Sequence, residues 1–407
     1  MNHRALGLHW DLPQDRIFFN HGSFGLAPRE LLHWRFQLLR EIECDPVDFL
    51  VEQLPVRLAA ARYCLADLVG ASAEQLAFVP STTYGLNELL QRLDLLEEYL
   101  PSGSEILLPD HGYNATTNLV RFAAERHGWQ LRFVPIPWPL SDPSQVVEAF
   151  ERLWTRATRL LVIDHITSPS ALVMPLQELI ELARSRQALV IVDGAHAPGL
   201  LPLQLDQLGA DAYVGNLHKW LCCPRGSAFL WVCRRWQERL RPLVISHGAN
   251  APANSDVSRF RLEHDWIGTA DPTPWLALPE ALRLLGWIQN KPLRPAMALN
   301  QRLAERAGKL ISQALLKAGV AHGQGTTLAA PLAMVSIQLP QVGCFDGGTL
   351  QKNLFSQGFQ LPVIPVRPYM TGVPQFLRIS CFDYNTNQDL DLLAAALPKA
   401  LRGLSAG

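Results

Sequence analysis

Short apolar runs rich in β-branched residues recur between longer segments with helical periodicity, and this alternation narrows the folds open to the chain more than any other feature. The runs are Ala77-Phe78-Val79 and residues 105–108, 131–135, 160–164, 188–193, 212–215 and 227–232. Strand-length runs separated by helix-length segments build βαβ units, and hence a mainly parallel sheet covered by helices. Leu86, Leu89, Leu90 and Leu93 keep an i, i+3, i+4, i+7 stripe, and Leu179, Leu182 and Ala183 share one face, so both segments read as helices packing on that sheet. After residue 275 the pattern changes to helical stretches over 279–288 and 299–316, strand-like runs at 334–339 and 376–379, and a closing helix over 389–401. The expected architecture is an N-terminal segment (1–18), a large α/β domain with a mainly parallel sheet (19–275) and a smaller α+β C-terminal domain (276–407).

Charge and cysteine usage restrict the partners. With 36 Lys+Arg against 37 Asp+Glu the formal charge is −1, so no global field draws the chain to nucleic acid or to an anionic membrane, and small molecules are the expected ligands. There is no apolar stretch of about 18 residues and no signal-like N-terminus, which predicts a soluble, cytoplasmic protein. The seven cysteines (44, 64, 222, 223, 233, 344, 381) show no CxxC spacing, which argues against a disulfide framework and against a zinc site; no metal is expected.

The chemistry concentrates at two strand ends. Asp193 closes the apolar run Ala188-Leu189-Val190-Ile191-Val192 and continues into Gly194-Ala195-His196; one run later comes Asn216-Leu217-His218-Lys219-Trp220. Open α/β sheets place their ligands at the carboxyl ends of strands. A strand-terminal Asp is often only a cap, and a lysine after a strand is usually a solvated cation, but the combination is specific. A pyridoxal-phosphate (PLP) enzyme needs an amine to hold the cofactor aldehyde and a carboxylate to keep the pyridine nitrogen protonated. Lys219 and Asp193 supply both groups. Ser81-Thr82-Thr83-Tyr84-Gly85 precedes the Leu86 helix pattern, where hydroxyls and free N–H groups at a helix N-terminus suit a phosphate, although a plain Ser/Thr N-cap reads the same way.

These residues resemble the class V aminotransferase family of fold-type I PLP enzymes, in particular its isopenicillin N epimerase-like branch, which is related to cysteine desulfurases and C–S lyases. The likeness runs from Phe19-Asn20-His21-Gly22-Ser23-Phe24-Gly25 to Leu377-Arg378-Ile379-Ser380 and Tyr384-Asn385-Thr386. It implies that Lys219 holds PLP and shuttles the proton, that Asp193 partners the pyridine nitrogen, and that His196 lies beside the ring's phenolic oxygen or the substrate. Ser81, Thr82, Thr83, His218 and Asn216, the last replacing a frequent serine, are implied as phosphate contacts. The aromatic group over the ring comes from Asp110-His111-Gly112-Tyr113-Asn114-Ala115, as Tyr113 in the preferred register or His111 in the other. Ser168 falls where many relatives have an asparagine. Arg378 is implied as the partner of the substrate α-carboxylate, with Asn20 and His21 on the substrate. Trp266-Ile267-Gly268-Thr269 resembles a segment reaching the neighbouring subunit's cofactor, Gly268 and Thr269 carrying the contact, which implies a homodimer with shared sites.

Three reactions stay open: epimerase-like racemisation first, β-elimination by a C–S lyase second, and transamination. Desulfurases of the family carry a mobile cysteine before the carboxylate-binding arginine, and residues 361–376 contain none, so persulfide transfer is disfavoured. A racemase needs proton carriers on both faces of the α-carbon; Lys219 serves one, and Tyr113, His196 and His21 are candidates for the other. A non-catalytic ligand-binding relative would be expected to lack Lys219, Asp193 or Arg378, and all three are present. The purified protein is expected to absorb above about 400 nm when loaded with PLP, and Lys219→Ala to abolish that band; a protein left colourless by added PLP contradicts the cofactor assignment.

Overall fold

A computed structural model of the chain describes residues 9–92, 98–250, 252, 255–288, 293–317, 319, 331–339, 346–367 and 373–401. Its strands are β1 (Ile17–Phe18), β2 (Leu76–Val79), β3 (Glu105–Pro109), β4 (Gln130–Val134), β5 (Thr158–Asp164), β6 (Leu189–Asp193), β7 (Ala212–Asn216), β8 (Ala228–Val232), β9 (Met334–Gln338), β10 (Phe359–Gln360), β11 (Val363–Pro365) and β12 (Gln375–Ser380). The seven apolar runs of the sequence become one sheet of order β2-β8-β7-β6-β5-β3-β4. All its pairings are parallel except those of β8, which runs antiparallel to both β7 and β2.

The strands are continuously apolar because both faces of the sheet are covered. Along β5, Leu161 and Ile163 enter one buried cluster while Leu160 and Val162 enter another; along β6, Val190 and Val192 alternate with Leu189 and Ile191 in the same way. A sheet buried on two sides selects this pattern over polar–apolar alternation. The helix Leu278–Ile288 packs back on the helices Arg29–Cys44 and Leu54–Val69, and Leu278, Ala281, Leu284 and Leu285 lie in the first of the two clusters.

The C-terminal part has its own core. The antiparallel sheet β11-β12-β9 and the helices Leu293–Lys317, Gly347–Ser356 and Asn387–Leu401 surround a cluster that includes Ile311, Leu350, Leu377 and Leu393. Phe19 belongs to that cluster, and β1 pairs with β10 in parallel, so the chain's N-terminal strand is built into the C-terminal unit. This crossing carries the segment His21–Gly25 to the seam between the two units. Among the described residues, no helix is long and apolar enough to cross a membrane.

Leu161 is fully buried in the middle of β5. Its replacement by Ala is expected to cost about 2–5 kcal/mol of stability, read as a lower midpoint in urea unfolding of the apoprotein; an unchanged midpoint would show that the sheet is not packed on both sides.

Candidate active site

β3, β5, β6 and β7 run the same way, and two successive antiparallel pairings bring β2 into that direction as well. Their carboxyl ends therefore share one edge. The candidate residues of the sequence gather there: Thr82 after β2, Tyr113 after β3, Ser168 after β5, Asp193 as the last residue of β6, Asn216 as the last of β7 and Lys219 just beyond.

Lys219 is 9% exposed, and its Nζ lies 3.1 Å from His196 Nε2. Burial, reinforced by the Arg378 guanidinium, pushes its amine down to about 7, against the opposing pull of Asp193 and Asp164. His196 is held neutral: burial, with Lys219 and Arg378 adding to it, drives its pKa well below the usual value. The Trp220 indole N–H, which can only donate, points at His196 Nδ1 at 3.4 Å. The proton of the neutral ring therefore sits on Nε2 and faces the lysine nitrogen.

Asp193 is buried at the end of β6. Its Oδ2 accepts from the Thr116 hydroxyl at 2.7 Å and its Oδ1 from the Ala195 N–H at 3.1 Å. Burial raises its pKa, but these donors and Lys219 oppose the rise. Its neighbour in register, Asp164 at the end of β5, is also buried, and its Oδ1 accepts from the Tyr113 backbone N–H at 3.1 Å.

At the head of the helix Thr82–Gln91, the Thr82 N–H donates to Asn216 Oδ1 at 3.0 Å, which joins the ends of β2 and β7. The Thr82 hydroxyl is buried with no hydrogen-bond partner among the described residues. A buried hydroxyl without a partner is costly unless a ligand completes it. Ser81 Oγ accepts from the Tyr84 N–H and is the N-cap of this helix, so its first commitment is to the backbone and not to a phosphate. Thr83 is exposed at the same helix end. His218 Nδ1 donates to Ser227 O at 3.0 Å, and burial lowers its pKa to about 4.

The opposite wall is organised by Arg378 on β12. One guanidinium nitrogen donates to Ser168 O at 2.8 Å and Ser168 Oγ at 3.0 Å, and the other to Ser23 Oγ at 2.8 Å. The Ser23 hydroxyl in turn donates to Asn20 Oδ1, so Asn20 reaches the arginine through a serine. Arg378 is 2% exposed, its Nε is buried without a partner, and burial lowers its pKa to about 10. All its hydrogen-bond partners among the described residues are neutral. A buried guanidinium in this state is poised for an anion.

The two candidates for the stacking group sit in different surroundings. His111 is buried, shares a 2.9 Å hydrogen bond with Ser170 Oγ, and packs edge-on against Phe376 and tilted against Trp138, which themselves touch; burial lowers its pKa to about 4. It is a wall residue. Tyr113, at the head of the helix Asn114–His127, is 43% exposed and close enough to raise the pKa of Arg378 electrostatically.

One expectation is corrected. His21 does not present a ring nitrogen to a substrate: Nε2 donates to Lys219 O at 3.1 Å, Nδ1 accepts from the Tyr384 hydroxyl at 2.9 Å, and the ring stacks on Phe382 with centroids 4.0 Å apart. Fully buried, and held neutral with its pKa pushed down to about 3 by burial, it braces the lysine's backbone from behind. Gly25 does the same by shape. It sits at φ +65, and a Cβ there would lie 1.9 Å from His218 O and 2.8 Å from Lys219 Cα. Gly268 and Thr269 stand on the partly exposed connection after the helix Arg259–Asp265, and none of the described hydrogen bonds around Lys219 includes them. Cys344 lies outside the described residues.

Four contributors were not singled out from the sequence: Asp164, Thr116, Ser23 and Trp220. Asp164 had the same signal as Asp193, an acid closing an apolar run. Thr116 and Ser23 carried none, because their roles depend on which elements the fold brings together.

Comparison with known proteins places this geometry. A profile of the family described as Aminotransferase class-V matches residues 49–393. The chain is 32% identical to isopenicillin N epimerase of Streptomyces clavuligerus over 94% of each sequence, and 33% identical to that of Amycolatopsis lactamdurans over 93% of each. It is 27% identical to L-cysteine desulfhydrase of Arabidopsis thaliana, covering 94% of this chain and 87% of that one. The chain belongs to the class-V aminotransferase family. The fold is that of the cysteine desulfurase CsdA of Escherichia coli, with a TM-score of 0.78 at 21% identity over 98% of both chains. The same holds for C-DES carrying glycine covalently linked to its PLP, with a TM-score of 0.78 at 22% identity over 98% and 99%. Pyridoxal 5′-phosphate is accordingly the family cofactor of this enzyme. The residues fit it: a buried amine of lowered pKa, a buried hydrogen-bonded carboxylate, an unpartnered hydroxyl at a helix head and a guanidinium lacking an anion.

Because the Lys219 amine is brought to about 7, its free base dominates just above neutrality. The rate at which apoprotein captures PLP, followed as growth of the visible band, should rise between about pH 6 and about pH 8 and then level. A rise that begins only near the ordinary lysine value would contradict the burial of this amine.

Proposed function

We propose that the enzyme is an amino-acid epimerase acting at the substrate α-carbon, with Lys219 and Tyr113 as the proton carriers on its two faces. The observation that carries this reading is the disposition of the three candidates for the second face. His21 has both nitrogens committed behind Lys219, and His196 lies 3.1 Å from Lys219 Nζ and so shares the lysine's side. Tyr113 is left, exposed and within electrostatic reach of Arg378. The likeness to two isopenicillin N epimerases over nearly the whole chain supports the same choice.

The chemistry supplied by bound PLP is electron withdrawal from the substrate α-carbon. The chain's residues do the rest. Lys219 would hold the aldehyde and move the α-proton on its face. Asp193, ionised and held by Thr116 and Ala195, keeps the pyridine nitrogen protonated. His196, with its proton on Nε2, donates toward the phenolic oxygen. The Tyr113 ring would cover the cofactor, and its hydroxyl would serve the other face. Thr82 and the neighbouring Thr83, Asn216 and His218 hold the phosphate end, and Arg378 takes the α-carboxylate in a bidentate grip, steadied by Ser23, Asn20 and Ser168. We further propose a homodimer in which Gly268 and Thr269 reach the partner's phosphate. Gly268, at φ +106 with open space where a Cβ would stand, and exposed Thr269 suit an outward contact.

The test is incubation with a panel of amino acids in deuterated water, following α-proton exchange, configuration, pyruvate and sulfide together. Exchange with inversion supports the epimerase; pyruvate with sulfide from a cysteine-type substrate, without inversion, overturns it in favour of a lyase. In Tyr113→Phe, inversion should fall by about 10²-fold or more while exchange by Lys219 on its own face persists. Unchanged inversion would remove Tyr113 from the second face.

A further inference from the structure

Two acids end adjacent parallel strands at the heart of the site. Asp164 and Asp193 are partners in register, so their side chains leave the same face of the sheet, roughly 5 Å apart at the backbone. Both are almost fully buried. Two carboxylates this close and this dry do not both ionise. Their surroundings decide which one carries the proton. Asp193 accepts from Thr116 and Ala195, a donor on each oxygen, and is stabilised as an anion. Asp164 accepts the Tyr113 backbone N–H on Oδ1, with a lesser contribution from its own backbone N–H, and no side-chain donor among the described residues meets it. Its Oδ2 lies so near the Gly112 backbone that a Cβ there would come within 3.2 Å. The other ionisable groups bearing on it are Asp193, from β6, and Lys219, beyond β7; the adjacent His165 is neutral and turned to the Tyr213 hydroxyl.

We propose that Asp164 is a positioning residue that acts as a neutral carboxylic acid, fastening the backbone of Tyr113 at the head of its helix while leaving Asp193 as the sole negative charge at the ring. Burial, with the charge of Asp193 adding to it, pushes the Asp164 carboxyl well above the usual range. The consequence is division of labour between two identical side chains. Asp193 acts on the ring nitrogen as a charge, and Asp164 acts through Tyr113 as an acceptor that adds no second charge. The proposal rests on the roles given above to Asp193 and Tyr113.

The experiment compares Asp164→Asn with Asp164→Ala. Asn keeps the Oδ1 acceptor and the neutrality, so the visible band, its circular dichroism and the rate of inversion should match wild type. Ala removes the acceptor; the band should persist because Lys219 is untouched, but its circular dichroism should fall and kcat should drop at least roughly tenfold as Tyr113 loses its place. The apoprotein supplies a second readout. An acid kept protonated on folding costs stability that grows as pH rises above the ordinary carboxylate range, because only the unfolded chain ionises it. Asp164→Asn apoprotein should therefore melt above wild type near pH 8, with the gap closing near pH 4. Asn behaving as badly as Ala, or melting below wild type at the higher pH, shows an ionised Asp164 and overturns the proposal. An Asp164→Ala enzyme with unaltered circular dichroism and kcat overturns the positioning role. If Asp164→Ala fails to fold, the Asn comparison alone decides. Failure of wild type to take up PLP would instead strike the assignment of Lys219, so the two failures are distinguishable.

Discussion

Everything at this site depends on a lysine amine held in a dry pocket between one guanidinium and two carboxyl groups. In water the amine would stay charged and unreactive; burial against Arg378 brings it to about 7, where it is a nucleophile at physiological pH. The same dryness keeps His196, His111 and His21 neutral. A histidine in this pocket therefore serves by the direction of its N–H and lone pair, not by carrying charge. Arg378 and Asp193 supply the opposite charges that an amino-acid carboxylate and a pyridinium nitrogen would require.

The sheet makes that pocket possible. Parallel strands buried on both faces release their next residues at one edge, and polar groups there are satisfied by loops and helix heads and not by the ladder. The C-terminal unit closes the edge from the other side, contributing Arg378 from β12 and receiving β1 against β10. The His21–Gly25 segment sits at that seam. His21 donates to the Lys219 carbonyl, Gly25 fits under the Lys219 backbone and Ser23 holds Arg378, so three residue choices in one short motif fix Lys219 and Arg378 relative to each other.

The large sheet could be read from the sequence because its periodicity is local: each of the seven runs became a strand. The short strands β1, β10 and β11 could not, since two or three residues carry no periodicity and their partners are set by the fold. The placement of Lys219, Asp193, Asn216 and Thr82 at or just beyond strand ends was legible, and the fold gathers them at one edge of the sheet. The function of His21 was not, because only the fold shows that its ring lies behind the lysine with both nitrogens spent. Nor could the choice between His111 and Tyr113 be made from spacing. The fold bears on it through the wall formed by Trp138, Phe376 and Ser170, residues far apart in sequence, which buries His111 while Tyr113 stays exposed.

The most direct test of the central claim is to load the enzyme with PLP, fix the cofactor to whichever amine holds it by borohydride reduction, and map the modified peptide by mass spectrometry. The phosphopyridoxyl mass is expected on the peptide containing Lys219 and nowhere else. Modification of another lysine, or of none, would contradict the claim.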